Sequence, residues 1–240
     1  MQMQIIVGLF LALVNLYFFM KGVFFLKKFL LFISNGSEML EISPFVDIFG
    51  WNKIVGDKKE KIEIVTISYG KFVNATWNLK IKTELDFETD IINVNDYYGI
   101  IIPGGFGKAG YFEDIKKEDF QILLREFHEK NKIIIGICTG AIALGEAGIL
   151  KEKRATTYFL DNKRYFSQLE KFGAVPVCET IVCEKNIFTT ANPESALIMG
   201  FILLEILTSK ENMKKVAFNM GYSEICEKIL NKYQINSEIS

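Results

Sequence analysis

Histidine is almost missing from this chain: His128 is the only one among 240 residues. A single imidazole and four cysteines (Cys138, Cys178, Cys183 and Cys226) with no C-x-x-C spacing do not make a zinc site, so no metal is expected. The same spacing lacks the look of a disulfide framework, and the thiols read as free thiols of a cytoplasmic protein. An excess of charge is missing too. With 28 Lys and Arg against 29 Asp and Glu, interspersed along the chain, the net charge is −1, which leaves no footprint for nucleic acid. Internal repeats, low-complexity tracts and interdomain linkers are also absent. Apolar residues are plentiful at 50 %, ample for a sizeable core.

The chain is organised around Lys132-Ile-Ile-Ile-Gly-Ile-Cys138-Thr-Gly-Ala. Ile133 to Ile137 is a short β-branched run, as expected for a strand buried on both faces of a parallel sheet. Thr139 to Leu150 is small and apolar and suits a helix packed closely on that sheet. Between them Gly136-Ile-Cys138-Thr-Gly140 has the pattern G-x-C-x-G, the cysteine form of a nucleophile elbow. The flanking glycines allow a sharp turn that lifts the Cys138 sulfur above the sheet at a helix amino end. There the helix dipole and unpaired N–H groups are expected to acidify the thiol.

Residues 5–26 form an apolar run broken at Lys21, marginal in length for a membrane span. No basic region precedes it and no small-x-small cleavage site follows, which argues against a secretory signal. Two readings stay open: a native start at Met20, or an anchor whose flanking Lys21, Lys27 and Lys28 hold the domain in the cytoplasm. The expected organisation is this extension at 1–26, a domain at 27–210 and a helical tail at 211–240.

Along the domain, Phe29 to Ile33 reads as the first strand, and Ser43-Pro44 as the N-cap and first residue of a helix. Glu41 then lies in a strand–loop–helix turn, where open parallel sheets place their ligand crevice. Ile62 to Ser68 is a second strand. Val73 to Lys82 alternates strictly, which predicts strand structure with one wet face, as in an antiparallel hairpin. Gly99 to Gly107 contains a buried strand ending in Gly104-Gly105, whose amides can approach a ligand closely. Phe120, Leu123, Leu124 and Phe127 form a core-facing helix stripe with His128 at its edge. Chain direction puts His128 at the end of the sheet remote from Cys138, so it is given a structural or solvated role. Val175 to Cys178, Ile181 to Cys183 and Ile187 to Thr190 read as short strands, with Cys178 and Cys183 as small core residues. Asn192-Pro-Glu-Ser195 opens a buried helix, and a terminal helix is expected near Cys226. Strands alternating with helices predict one α/β domain with a mainly parallel sheet.

The elbow Gly-Ile-Cys-Thr-Gly-Ala, with Gly148 to Thr157, Ile102-Pro-Gly-Gly105 and Ser34-Asn-Gly-Ser-Glu-Met-Leu-Glu41, resembles the DJ-1/PfpI (ThiJ) family of the class I glutamine amidotransferase-like superfamily. The resemblance covers roughly Lys28 to Thr208. It implies a flavodoxin-like three-layer sandwich, a nucleophilic Cys138 and a carboxyl partner at Glu41 that hydrogen-bonds the sulfur or relays a proton. It also implies an oxyanion hole from the backbone amides of Gly105 and Thr139, with Gly104 and Tyr158 in secondary places, no cofactor, and a homodimer. Many relatives have histidine where this chain has Tyr158, and some have one directly after the cysteine, where Thr139 stands here. A peptidase-like Cys–His pair is therefore not expected. Tyrosine, with an ordinary pKa of about 10, is a poor base at neutral pH.

The leading functional expectation is an enzyme acting on small reactive carbonyls, in the manner of a glyoxalase or deglycase. Cys138 would add to an aldehyde, Glu41 would shuttle the proton, and the two amides would hold the oxyanion. The alternatives are hydration of an isocyanide by the same pair, and an oxidative-stress sensor or chaperone-like protein without turnover.

Overall fold

The computed structural model describes residues 26–57, 61–160 and 162–224. The expectations for residues 1–25, and for a helix near Cys226, lie outside the described residues. Strands β1 (Lys27–Phe32), β2 (Ile62–Ser68), β5 (Leu85–Asp86), β6 (Gly99–Ile102), β7 (Ile133–Ile137), β10 (Ile181–Glu184) and β11 (Ile187–Thr190) form a seven-stranded sheet in the order β10-β11-β7-β6-β1-β2-β5. Only β10 runs antiparallel, paired with β11 at one edge, while β8 (Arg154–Ala155) and β9 (Val175–Pro176) pair in parallel outside this sheet. The mainly parallel α/β sheet expected from the sequence is the architecture observed.

Alternation along each strand divides the core into two layers. Phe29, Leu31, Ile101, Ile135 and Ile137 point to one face, where they meet helices α1 (Met39–Val55), α6 (Pro193–Leu207) and α7 (Lys210–Asn219). Leu30, Phe32, Ile100 and Ile134 point to the other, against α2 (Tyr111–Ile115), α3 (Glu118–Glu129), α4 (Gly140–Glu146) and α5 (Arg164–Lys171). Strands covered on both sides must be apolar throughout, which is why β6 and β7 read as uninterrupted runs. Close approach of α1 to α6 depends on Gly200, where an added Cβ would lie 2.6 Å from Ile48 Cδ1. The described part of the tail is α7, whose Met213, Val216 and Ala217 are buried in the first layer.

Three local expectations are corrected. Helix α1 begins at Met39, with Glu38 rather than Ser43 as its N-cap, and Pro44 sits inside the helix. Proline in the second turn forfeits one backbone bond. Burial of Ile42, Pro44 and Phe45 on the core keeps the helix continuous across it. Consequently Glu41 belongs to the first helical turn, not to a loop. In the alternating segment, β3 (Phe72–Asn74) and β4 (Lys80–Lys82) do pair as an antiparallel hairpin, but a 3-10 turn at Thr76–Asn78 joins them. Trp77 and Asn78 there have positive φ, and Trp77 is exposed, so strict alternation is broken at the tip. Cys178 and Cys183 are exposed rather than core residues. Cys183 lies on the edge strand β10, where Ile181 and Val182 are buried and Cys183 is exposed.

Candidate active site

Strand β7 ends at Ile137 and α4 starts at Gly140, so the chain reverses within two residues. Cys138 carries the turn itself with φ +54, a left-handed conformation that costs an L-residue about 1 kcal/mol or more. Hydrogen bonds hold it there: its N–H donates to Thr190 O at 2.7 Å, and its carbonyl accepts from Thr157 Oγ1 at 2.7 Å. The flanking glycines act differently from the expectation, for neither has a positive φ. They supply space. A Cβ on Gly140 would lie 2.2 Å from Ile102 O, and one on Gly136 would lie 3.1 Å from the Ala141 backbone.

Glu41, projecting from the first turn of α1, is completely buried beside this turn. Its Oε2 accepts the Gly104 N–H at 2.6 Å, and its carboxyl interacts with the Cys138 sulfur. Oε1 is buried with no hydrogen-bond partner among the described residues. Burial pushes the carboxyl up from 4.5 to about 8, against the opposing pull of the Gly104 N–H and Cys138, while the charge of Glu38 adds to the rise. Glu41 is therefore an acid at neutral pH. Burial likewise raises the Cys138 thiol well above its ordinary range; a charged Glu41 raises it further, and the Thr139 N–H lowers it. The expected acidification by the helix terminus is outweighed, because a seven-residue helix offers little against desolvation of a charged sulfur.

The Gly104-Gly105 turn is tied to the elbow by Thr139. The Gly105 N–H donates to Thr139 Oγ1 at 2.8 Å, and that hydroxyl is 3.0 Å from Gly105 O. Of the two amides expected to face an oxyanion, Gly105 is thus already engaged, and the Thr139 N–H is the one beside the sulfur. Gly104 must lack a side chain, since a Cβ would sit 2.8 Å from Glu41 Oε2, Thr139 N and Thr139 Oγ1. Tyr111, fully buried, donates its hydroxyl to Pro103 O and braces the same turn from beneath.

Cys138, Glu41, Gly105, Thr139 and Tyr158 line one cavity of about 400 Å³. Gly104 lies behind Glu41, and His128 is at the opposite, amino end of β7, on the last turn of α3. Sequence reasoning missed five lining residues: Glu38, Phe106, Arg164, Tyr165 and Pro193. Glu38 alone left a signal, since it precedes Glu41 by three positions and so shares its side of the helix start. Arg164 and Tyr165 reach the cavity from α5, and no local pattern announces that. Among the described residues, no group of three His, Cys, Asp or Glu side chains is placed to hold a metal ion, and no helix is long and apolar enough to cross a membrane.

Comparison with known proteins bears on the family and the fold. The chain is 28 % identical over 152 residues to isonitrile hydratase of Pseudomonas putida, covering 63 % of this chain and 61 % of that protein. It is 28 % identical over 197 residues to glutathione-independent glyoxalase DJ-1 of Schizosaccharomyces pombe, covering 79 % of this chain and 95 % of that one. Its backbone matches the crystal structure of Drosophila melanogaster DJ-1beta with a TM-score of 0.69 at 20 % identity, over 82 % of this chain and 98 % of the other. The family model for DJ-1/PfpI matches residues 27–206, three quarters of the sequence, and includes every element of the site just described. That match over most of the chain, together with the mainly parallel flavodoxin-like sheet, makes this chain a member of the DJ-1/PfpI family.

Proposed function

We propose that the chain is a cysteine-dependent enzyme that adds Cys138 to small reactive carbonyl compounds, in the manner of a glyoxalase. The observation that carries this reading is the pairing of a strained, cavity-lining thiol with a buried carboxyl that keeps its proton up to about pH 8. A resting thiolate is not required. As the sulfur attacks an aldehyde, the carbonyl oxygen gains a proton and the thiol loses one, so the pair needs no net change of charge. Glu41 can pass that proton through Oε1, the oxygen with no hydrogen-bond partner among the described residues. The Thr139 N–H, which lies beside the sulfur, supports this reading as a donor to the developing oxyanion. A cavity of about 400 Å³ suits a small substrate. The glyoxalase name of the Schizosaccharomyces pombe relative points the same way.

Hydration of an isocyanide is the second reading, favoured by the same neutral acid, which could protonate the isocyanide carbon as sulfur adds, and by the Pseudomonas putida relative. An oxidation sensor is less well supported, because peroxide reacts with thiolate and burial disfavours that form here. A cytoplasmic homodimer belongs to the same proposal, and light scattering on the purified chain tests its assembly. The experiment for the activity measures methylglyoxal consumption and isocyanide consumption side by side on wild type and Cys138→Ala. Turnover of methylglyoxal by wild type alone supports the leading reading. Turnover of isocyanide alone replaces it with the second, and equal rates in the two proteins remove both.

A further inference from the structure

The chemistry proposed above leaves a gap. Converting a hemithioacetal to a hydroxy acid requires a base to take a carbon-bound proton, and a second proton transfer to activate water. No histidine is at hand, since His128 is on the far end of β7. Glu41 holds its own proton at neutral pH and serves as the acid. Of the other polar side chains on the cavity wall, Arg164 is a guanidinium, which has no acceptor atom, and Tyr158 and Tyr165 are phenols, a weaker base type than a carboxylate.

Glu38 remains. It lines the same cavity as Cys138 and Glu41. Its backbone is fixed, because its N–H donates to Gly104 O at 2.8 Å and its carbonyl accepts the Glu41 N–H at 3.0 Å. Its side chain is fixed as well, Oε1 accepting the Leu40 N–H at 3.3 Å in the N-cap of α1. Oε2 accepts no hydrogen bond from any described residue. The residue is 8 % exposed, so it is neither sealed in the core like Glu41 nor free in solvent. Its negative charge is felt at both Glu41 and Cys138. Two carboxyls three residues apart, one sealed and one open to the cavity, divide naturally into acid and base.

We propose that Glu38 is the general base of this site. The assignment rests on the carbonyl reading given above. Methylglyoxal and the Cys138 thiol form the hemithioacetal CH3–CO–CH(OH)–S. The Glu38 carboxylate takes the proton of the CH(OH) carbon; the C–H electron pair forms the double bond of an enediol, and the ketone oxygen takes the Glu41 proton. Glu38 returns its proton to the former ketone carbon while the hydroxyl proton goes back to Glu41, leaving a lactoyl thioester. Water then loses a proton to Glu38 and attacks the thioester. The C–S bond breaks, the sulfur is reprotonated, and lactate leaves. One carbon is oxidised and its neighbour reduced, so no external oxidant is consumed.

The test compares wild type, Glu38→Gln and Glu38→Asp with methylglyoxal in deuterium oxide. It reads turnover, deuterium in the lactate, intact mass and Cys138 alkylation by iodoacetamide. Wild type is expected to place solvent deuterium on carbon 2 of lactate. Glu38→Gln is expected to lose about 100-fold or more in kcat while accumulating a Cys138 adduct of one methylglyoxal. Its alkylation should be no slower than wild type, since losing the Glu38 charge removes one of the influences that raise the thiol. Glu38→Asp, which keeps a carboxylate and a good N-cap, should recover part of the rate and carries the test if the Gln variant does not fold. Wild-type kcat in either folded variant overturns the assignment, as does a loss of turnover matched by an equal loss of alkylation. If wild type itself turns over no methylglyoxal, the carbonyl reading falls, and this assignment with it.

Discussion

Strand β7 has ionisable neighbours at both ends, and burial acts on both. At the amino end, burial pushes His128 below its ordinary value, and the nearby charge of Lys153 pushes the same way. At the carboxyl end, burial lifts Glu41 to about 8 and raises Cys138. The neutral form wins in each place, as desolvation requires. The neighbours differ. His128 Nδ1 is buried without a hydrogen-bond partner and has no nucleophile to serve. At the other end a thiol, an acid, an amide donor and a second carboxyl converge on one cavity. In a parallel sheet the loops that leave the carboxyl ends of neighbouring strands meet, here those after β1, β6 and β7. A shifted pKa alone therefore says little about function; convergence with a reacting atom gives it meaning.

The sharpest way to break this contrast is to remove the sulfur. Cys138→Ala should lower methylglyoxal turnover about 1,000-fold or more. Cys138→Gly should do the same while relieving the positive φ, raising stability by about 1 kcal/mol and Tm by roughly 2–4 °C. Calorimetry and kinetics on one preparation check both outcomes; a Gly variant less stable than wild type would show that φ +54 is not strained there.

A smaller loss should follow from crowding the turn. Gly104→Ala puts a Cβ against Glu41 Oε2 and the Thr139 amide, and about a 100-fold fall in kcat is expected from misplacing the acid. Retained activity would mean that the turn relaxes without moving Glu41.

Glu41 also makes a pH-dependent contribution to stability. The unfolded carboxyl ionises above about 4.5, whereas the folded one keeps its proton to about 8. Across that window the folded state binds more protons, so stability falls as pH rises from about 4.5 to about 8. Glu41→Gln should match wild type near pH 4 and exceed it on the order of 3 kcal/mol at pH 8, with turnover lost. Urea unfolding at the two pH values measures it. A stability difference that does not change between them would place the charged form of Glu41 in the folded protein. In wild type the turnover itself should fall as pH rises through about 8, where the acid is lost.

At the amino end the expected effect is close to nil. His128→Ala should leave kcat/KM within about twofold of wild type, since nothing in the site contacts it. A large loss in steady-state kinetics would erase the distinction between the two ends.

Much of this was legible in the chain. The β-branched runs of β6 and β7, the i, i+3, i+4, i+7 stripe of α3 and the Asn192-Pro-Glu-Ser195 helix start are local patterns, and all four elements formed as expected. G-x-C-x-G at 136–140 located the elbow, and the turn after β1 located Glu41. Local pattern failed where a residue's role depends on what arrives from far along the chain. Pro44 looked like a helix start because proline usually is one, yet packing on α6 carried the helix through it. Alternation from Val73 to Lys82 could not show that Trp77 sits on a hairpin tip.

The sequence by itself determined the parallel α/β architecture and the elbow, because periodicity and turn chemistry act over a few residues; the pairing of Cys138 with Glu41 entered only through the family resemblance. Tertiary structure decided the rest. It sealed Glu41 so that it keeps its proton, closed the Gly105 amide onto Thr139, brought Glu38, Arg164 and Tyr165 to the cavity wall, and left Cys178 and Cys183 outside. Those outcomes depend on solvent exclusion, which is a property of the assembled layers and not of any segment within them.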